Sequence, residues 1–394
     1  MKSPFQHYKV GNTFFRSLAE ARLQWRALQN RLTYTHPAPR HYIAINELIN
    51  NPRCNMLYQS QINIPPLTLP PSSIEPENAR TRLESTASIT YPNSFVASLR
   101  NGAVYGEGTT LIDEHTFLSD TTTDFHRIQD HHHILHAGRI ASPETFDGTL
   151  AVLAAPGSQN YFHWTLDLVT RFQLLQTIDT TIDAYYLPDH APFQKEWLTL
   201  LNIPPAHCLT AHPHRHIQAN SLIIPSYAGL PGVPHLSAHS FIQSFIPPTD
   251  AATPERIYIS RANARRRRIR NEAALIPILK ENNFHIIHPE TLSVRQQMIL
   301  FNHAKIIIAP HGAELTNLIF ARPDTQVLEL FSPYYLNPCF KHLAALGQMH
   351  HSALVGKGGK FVLEKGTDTH YVWKNITIDV NTFTSKLHQL LKRR

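Results

Sequence analysis

The segment Ile306-Ile-Ile-Ala-Pro-His-Gly-Ala-Glu-Leu-Thr-Asn-Leu-Ile-Phe320 constrains the fold more than any other part of the chain. It opens with a β-branched run, the mark of a buried strand. Pro310, His311 and Gly312 break that run, and Leu315, Leu318 and Ile319 then recur at helical spacing. The pattern predicts a strand, a tight loop and a helix. Such a loop leaves unpaired backbone N–H groups at a helix N-terminus, where they attract anions, and Gly312 lets the backbone approach a ligand closely. The glycines and lysine of a P-loop or a dinucleotide fingerprint are missing. An ordinary βα turn and a cradle for a phosphate-bearing ligand are both consistent with this segment alone.

A second segment lies upstream. Arg256-Ile-Tyr-Ile-Ser-Arg261 reads as a strand with a polar end, and an arginine run follows: Arg265, Arg266, Arg267, Arg268 and Arg270. The planar guanidinium fork matches phosphate oxygens two at a time. Asn271 and Glu272 precede the helical stretch 273–280, with Asn271 placed as an N-cap. A solvated basic loop is the plainer reading of such a run. Nucleic-acid binding by Arg265–Arg270 is a further alternative, although no aromatic residue interleaves the arginines to stack bases.

A third segment, Asn160-Tyr-Phe-His-Trp-Thr-Leu-Asp-Leu-Val-Thr-Arg-Phe172, carries apolar residues at Phe162, Leu166, Val169 and Phe172. This spacing predicts an amphipathic helix. His163, Asp167 and Arg171 are four apart and fall on one other face, either as a catalytic stripe or as a surface ladder with a weak Asp167–Arg171 pair.

Together the three segments resemble glycosyltransferase family 61. The resemblance rests on Asn160-Tyr-Phe-His-Trp with Asp167 and Arg171, on Tyr258-Ile-Ser-Arg261 with Arg267-Arg268-Ile-Arg-Asn-Glu272, and on His311-Gly-Ala-Glu-Leu-Thr-Asn317, in that order. It covers about Ala151 to Leu330. Two positions depart from the family pattern: Glu314 stands where a small residue is usual, and Thr170 where a proline is usual. A carboxylate there would repel a pyrophosphate, so Glu314 is expected to face the sugar or solvent.

The resemblance implies a bacterial-type member with the α/β GT-B architecture, two Rossmann-like domains facing a cleft, preceded by an N-terminal extension of short strands. It implies an acceptor-side domain over 1–245, a donor domain over 250–380, and a final helix, 381–394, that crosses back onto the first domain. It implies an inverting transferase that takes a sugar from a nucleotide-diphosphate donor, UDP-linked, to a hydroxyl of a glycan or lipid-linked glycan such as a surface polysaccharide. Donor-binding residues carried over by the motifs are Ser260, Arg261, Arg267, Arg268, Asn271, Glu272, His311, Gly312, Ala313, Glu314, Thr316 and Asn317.

A departing diphosphate needs its charge neutralised. No Asp-x-Asp metal signature occurs, so no metal is expected, and preorganised donors carry the task. Arg261 and Arg268 are assigned to the diphosphate beside the N–H groups of Gly312, Ala313 and Glu314. Glu329, at the end of the strand-like run 326–330, is assigned to the ribose hydroxyls. Inversion needs one general base; Asp167 is the first candidate and His163 the second, while His311 contacts the donor.

Composition sets limits. The chain has 394 residues, enough for two or three domains, and carries a net charge of +7 with 26 histidines. That charge suits an acidic donor, an acidic glycan or an anionic membrane face. Cys54, Cys208 and Cys339 lie far apart, neither a disulfide framework nor a zinc set. No signal-peptide core and no run of roughly 18 apolar residues is present; the expectation is a cytoplasmic enzyme, soluble or peripheral on the inner membrane. His126, His131, His132, His133 and His136 keep a metal-dependent hydrolase open as an alternative. Along the chain the pattern predicts a helix over 12–33, loops and short strands over 34–94, and a small antiparallel sheet over 94–118. Alternation follows: helix 160–176, strand 183–187, helix 192–201, strand 221–224, a linker at 245–254, and a second alternating set over 256–330.

Overall fold

The computed structural model describes residues 25–59, 64–122, 132–249, 253–358 and 374–392, apart from 26, 31 and 85. The chain forms two compact units. The first comprises Met1–Ile64 and Pro92–Pro234, the second Pro65–Tyr91 and His235–Arg394. The excursion through 65–91 gives the second unit a short strand, β1 (Ser73–Glu75).

The first unit is built on a ten-stranded sheet. Its core strands are β2 (Phe95–Arg100), β3 (Glu144–Val152), β4 (Ala184–Leu187), β5 (Cys208–Thr210) and β6 (His216–Pro225). β5, β4, β3 and β6 are parallel neighbours in that order, and β2 runs antiparallel on β6. Leu150, Ala151, Leu222 and Ile223 are fully buried, as both-face coverage of parallel strands requires. Helix α1, spanning 161–175, joins β3 to β4, and α2 (Pro192–Leu200) joins β4 to β5. The chain then returns to the opposite side of β3 to lay down β6. The direction of winding therefore reverses between β3 and β6.

The expected small antiparallel sheet over 94–118 is not separate. β6 is ten residues long; its C-terminal half pairs with β2 and its N-terminal half with Ala103–Tyr105. Alternation identifies strands here, but not the edge they extend.

The second unit is a parallel sheet. Its strands are β7 (Arg256–Ile259), β8 (His285–Ile287), β9 (Ile306–Pro310), β10 (Gln326–Phe331) and β11 (His350–Val355). The order is β8–β7–β9–β10–β11–β1, with every pair parallel. Every residue of β9 and β10 is buried. Helix α3 (Glu272–Glu281) follows β7, α4 (Val294–His303) follows β8, and α5 (Cys339–Leu346) follows β10. Ser293 starts α4 with a reciprocal capping box closed by Gln296. Here the winding reverses between β7 and β9. The segment after β9, Ala313–Phe320, is a 3₁₀ helix rather than an α-helix, and all its residues from 315 to 320 are buried.

Two expected boundaries move. The division falls at Pro234/His235 instead of near 245, because the helix Leu236–Gln243 belongs to the second unit. The C-terminal helix α6 (Val380–Lys392) does not return to the first unit. Its Phe383, Leu387 and Leu390 join Tyr258, Leu275 and Leu279 in the core of the second. Lys386, also buried, donates to Ser73 Oγ at 2.6 Å and pairs with Glu75 Oε1 at 2.9 Å, which ties α6 to β1. The apolar stripe was legible, but α3 presents its own matching stripe and takes the helix. Of the helix expected over 12–33, residues 1–24 lie outside the described residues; those described from 25 to 33 are helical. Among the described residues no helix is long and apolar enough to cross a membrane.

The placement of α6 gives a stability prediction. Phe383 is fully buried, so Phe383→Ala should cost about 3–5 kcal/mol, read as a shift in equilibrium urea unfolding. A cost below about 1 kcal/mol, the level of an ordinary surface change, would show that α6 does not complete this core.

Candidate active site

In the first unit, polar side chains gather at the carboxyl ends of β3 and β6. Asn160 caps α1 by accepting the Phe162 N–H at 2.9 Å. The helix is not uniform: Tyr161–His163 is α-helical, Trp164–Leu168 is π-helical, and Val169–Leu175 is α-helical again. A π turn of this kind inserts one residue into an α-helix and is frequent at functional sites. On it, His163 Nδ1 lies 2.8 Å from Asp167 Oδ2. The other carboxylate oxygen, Oδ1, accepts the Gly232 N–H at 2.6 Å. Gly232 has φ +71°, and a Cβ there would meet the Phe162 ring at 2.6 Å. Gly157, at φ +79°, sits under the His163 ring, where a Cβ would come within 2.7 Å of Cδ2. Two left-handed glycines thus seat the helix start against the hairpin that holds Asp167.

Asp167 is 1% exposed and both of its oxygens are engaged, whereas the His163 side chain is 21% exposed. Asp167, the first candidate for the base, is therefore placed to orient the ring, and His163 is the more accessible partner. Arg171 leaves the stripe. It is fully buried, donates to the Ala154 and Thr121 carbonyls at 2.7 Å each, and lies 4.1 Å over the Tyr227 ring. The π turn shifts the register that simple four-residue spacing assumes, so no Asp167–Arg171 surface pair forms. A cavity of about 320 Å³ opens in the same unit, lined by Met56, Phe95, Asp120, Tyr227, Gly229 and Leu230 among others. Its Gly229–Leu230 wall belongs to the hairpin whose Gly232 holds Asp167.

In the second unit the cluster forms at the carboxyl ends of β7 and β9. Arg261 is 8% exposed and pairs through Nη1 with the Glu314 carboxylate, while Nη2 donates to the Arg266 carbonyl at 3.2 Å. Glu314 thus faces Arg261 while staying 23% exposed, a buried guanidinium requiring an anion. The backbone of Gly312 is extended, and a Cβ would collide with the Arg261 guanidinium. What approaches Gly312 closely is this side chain. Burial and the neighbouring Arg267 charge pull Arg261 down to about 10, so it stays cationic at neutral pH. Arg267 has φ +57°, which turns it out of the arginine run; its guanidinium lies 5.1 Å from the Tyr335 ring centroid. Arg268 is exposed.

Behind this surface lies a buried polar chain. His311 Nδ1 is 2.5 Å from Glu329 Oε1, His351 Nε2 is 2.9 Å from Glu329 Oε2, and Ser72 Oγ is 3.2 Å from His351 Nδ1. Glu329 has no exposure. With both oxygens engaged by histidines it is not available to ribose hydroxyls. Burial holds Glu329 well above the usual carboxylate range, and burial with nearby Arg267, Arg261 and His351 holds His311 well below the usual imidazole value.

Several motif residues serve the scaffold. Glu272 accepts from Tyr258 Oη at 2.8 Å and Ser260 Oγ at 3.0 Å, fastening α3 to the end of β7. Asn271 makes no side-chain cap; its amide exchanges two hydrogen bonds with the Ile378 backbone, at 2.8 and 3.0 Å. The Asn271 side chain docks the approach to α6, a partner more than a hundred residues away and invisible to a local cap rule. Asn317 donates to Gln297 Oε1 at 2.6 Å and to the Glu314 carbonyl at 3.1 Å, and Thr316 is completely buried. Ala313 opens the 3₁₀ helix, whose first N–H groups lack intrahelical acceptors.

His351, Ser72, Tyr335, Gly157 and Gly232 were not among the expected site residues. Only the two glycines carried a local signal, each in a Gly/Pro turn. In the histidine tract, His126 and His131 lie outside the described residues. His132 is buried against Phe117 and accepts the Ile134 N–H. Among the described residues no group of three or more His, Cys, Asp and Glu is placed to hold a metal ion.

Residues 161–328 match the family model described as Glycosyltransferase 61. That stretch, which contains His163, Asp167, Gly232, Arg261, Arg267, His311, Gly312 and Glu314 but not Ser72, Gly157, Glu329, Tyr335 or His351, is a domain of this family. A beta-1,2-xylosyltransferase of Oryza sativa subsp. japonica is 33% identical over 63 residues, 16% of this chain and 12% of the relative.

The buried histidines give a pH prediction. Burial, reinforced by Lys341 beside two of them, pushes His351 down to about 3 and His342 to about 4, and burial alone puts His239 near 4. Unfolded imidazoles titrate near 6.5. These depressed values mean that the stability contributed is fully present above about 6.5 and is lost as pH falls toward the folded values. In that window the unfolded chain takes up protons that the fold refuses, costing about 1.4 kcal/mol per pH unit for each such group. Urea midpoints should therefore fall steeply from about pH 6.5 to about pH 5. A flat profile across that interval would contradict the neutral burial of these rings.

Proposed function

We propose that this chain is an inverting glycosyltransferase that moves a sugar from a nucleotide-diphosphate donor, UDP-linked, to a hydroxyl of a glycan or glycoconjugate. The observation that carries this reading is the meeting of Arg261 and Gly312 at the carboxyl ends of β7 and β9, the two strands between which the winding reverses. In open parallel sheets ligands bind at that position. The GT-B assignment is supported by the same logic in each unit, since His163 and Asp167 stand at the corresponding reversal between β3 and β6.

The donor is assigned to the second unit. As the glycosidic bond breaks, negative charge grows on the diphosphate. Arg261 supplies a fixed cation, and the first N–H groups of the 313–320 turn supply dipoles. The Glu314 carboxylate occupies Arg261 and gives way to the donor phosphate as it binds. Arg268, exposed and one residue past Arg267, adds positive charge to the donor side. These cations support transfer without a metal ion, and a net charge of +7 supports an acidic donor and an acidic or membrane-bound acceptor in the cytoplasm.

The acceptor's proton is assigned to the first unit. Asp167 engages His163 at Nδ1, so Nε2 is the nitrogen that takes the proton from the attacking hydroxyl. Asp167 then stabilises the imidazolium, as a carboxylate behind a catalytic histidine does elsewhere. Inversion needs one such base. The xylosyltransferase relative supports a pentose as the transferred group, with a hexose as the alternative.

Calorimetry and turnover with UDP-sugars test both halves. Arg261→Ala should weaken UDP binding about ten- to a hundredfold, the worth of a charge-assisted contact. His163→Ala should leave that affinity intact and lower kcat by about 10²–10⁴. Asp167→Asn should lower kcat in the same direction, with circular dichroism confirming the fold. Wild-type turnover in both His163→Ala and Asp167→Asn would remove the base from this helix, and unchanged UDP affinity in Arg261→Ala would remove the donor from the β7–β9 edge.

A further inference from the structure

The buried chain of Ser72, His351, Glu329 and His311 is larger than a packing role requires. It sets three titratable groups in a row inside the second unit, and it ends under Gly312, where the donor reading puts an anion. Two proton arrangements satisfy the distances. In one, Glu329 is an anion that accepts an N–H from each histidine, leaving His311 Nε2 as a lone pair. In the other, Glu329 is a neutral acid that donates to His311 Nδ1, leaving Nε2 as an N–H donor.

We propose that Glu329 is held as the neutral acid, so that Ser72, His351, Glu329 and His311 form a one-way run of neutral hydrogen bonds presenting an N–H at His311 Nε2 to the donor diphosphate. The run is directional at every link. Ser72 Oγ–H donates to His351 Nδ1 over 3.2 Å, His351 Nε2–H donates to Glu329 Oε2 over 2.9 Å, and Glu329 Oε1–H donates to His311 Nδ1 over 2.5 Å. No described residue hydrogen-bonds His311 Nε2. The assignment of that atom to the diphosphate rests on the proposed donor site.

The surroundings favour this arrangement. Glu329 has no exposure and no cation in hydrogen-bonded contact, and an ion buried in that way is costly. Arg267 acts on it at longer range and favours the anion, but burial is the larger influence. An ion pair with either histidine is opposed from the other side. His311 is packed among Phe331, Tyr335 and Phe340 with the Arg261 and Arg267 charges near it. His351 has Lys341 and His342 near it. No neighbour rewards an imidazolium at either place. Glu329 is thus a positioning residue, which fixes the tautomer of His311.

The proton position can be read on the full-length protein before any ligand is added. Infrared difference spectra should show a protonated-carboxyl C=O stretch at neutral pH that shifts in D₂O and is lost in Glu329→Gln. Nitrogen-15 spectra should show His311 as the Nε2–H tautomer. An ionised carboxylate, or an Nδ1–H tautomer, overturns the proposal and does so independently of whether the donor reading holds. Binding is then measured with UDP and with inorganic pyrophosphate. A glutamine side chain donates from its amide nitrogen and accepts at its carbonyl, as the neutral acid does. Glu329→Gln should therefore keep nucleotide affinity within about threefold. Glu329→Leu, which breaks the run, and His311→Ala, which removes the donor, should each weaken binding about tenfold or more. Wild-type affinity in His311→Ala overturns the presentation of Nε2 to the anion, as does a tenfold loss in a folded Glu329→Gln. A glutamine variant that does not fold leaves the wild-type infrared and tautomer measurements to decide.

Discussion

A guanidinium buried to 8% exposure has to find an anion, and much of the second unit follows from how Arg261 does so. Desolvating an unpaired charge costs several kcal/mol. Arg261 meets that demand with Glu314 and with the Arg266 carbonyl. The contact reaches Glu314 only by crossing Gly312, which is why no side chain can stand there. The same contact fixes the start of the 313–320 turn, and Asn317 locks its second residue to α4 through Gln297. A cation whose partner is a single, part-exposed carboxylate is well suited to exchange that carboxylate for a phosphate. A cation paired inside the core would not be.

The two units share one topological device. In each, the reversal of winding leaves a gap at the carboxyl ends of two neighbouring parallel strands. The first unit fills its gap with the His163–Asp167 pair and the second with the Arg261–Glu314 pair. The differences are local. In the first, a π turn and two left-handed glycines bring His163, Asp167 and the Gly232 N–H together, leaving the ring partly exposed. In the second, a 3₁₀ turn directs its first N–H groups and an arginine into one place. Irregular helices appear at both sites, where a regular α-helix would have aimed the same residues elsewhere.

Much of this was legible in the sequence because it depends on local periodicity. The β-branched run before Pro310 gave β9, the alternation after Ala151 gave the parallel core, and Arg261 does stand at the end of β7. The rest depends on contacts remote in sequence. Asn271 looked like a cap and instead binds Ile378. Glu329 looked like a ribose ligand and instead is closed in by His351, twenty-two residues on, and by His311. The strand at Ser73–Glu75 is three residues long and became part of the second unit only because β11 offered it an edge. The stripe of His163, Asp167 and Arg171 failed at its third member, since four-residue spacing presumes an α-helix and one π turn breaks the count. No propensity rule signals that turn.

The neutral run ending at His311 bears on the charge balance of the donor edge. Arg261 and Arg267 lie near His311, and Arg267 also acts on Glu329. An ionised Glu329 would cancel part of their field from inside the protein, where low polarity makes such cancellation strong. A neutral Glu329 leaves that field directed outward. It also lets the chain behind it add a donor at His311 rather than a lone pair that would repel an anion. Glu314, the carboxylate paired with Arg261, is 23% exposed, and Glu290 acts on Arg261 at longer range. Positive charge without a buried counter-ion is normally a liability to folding. Here it sits on Arg261 and Arg267, and a neutral Glu329 adds no charge of its own beneath them.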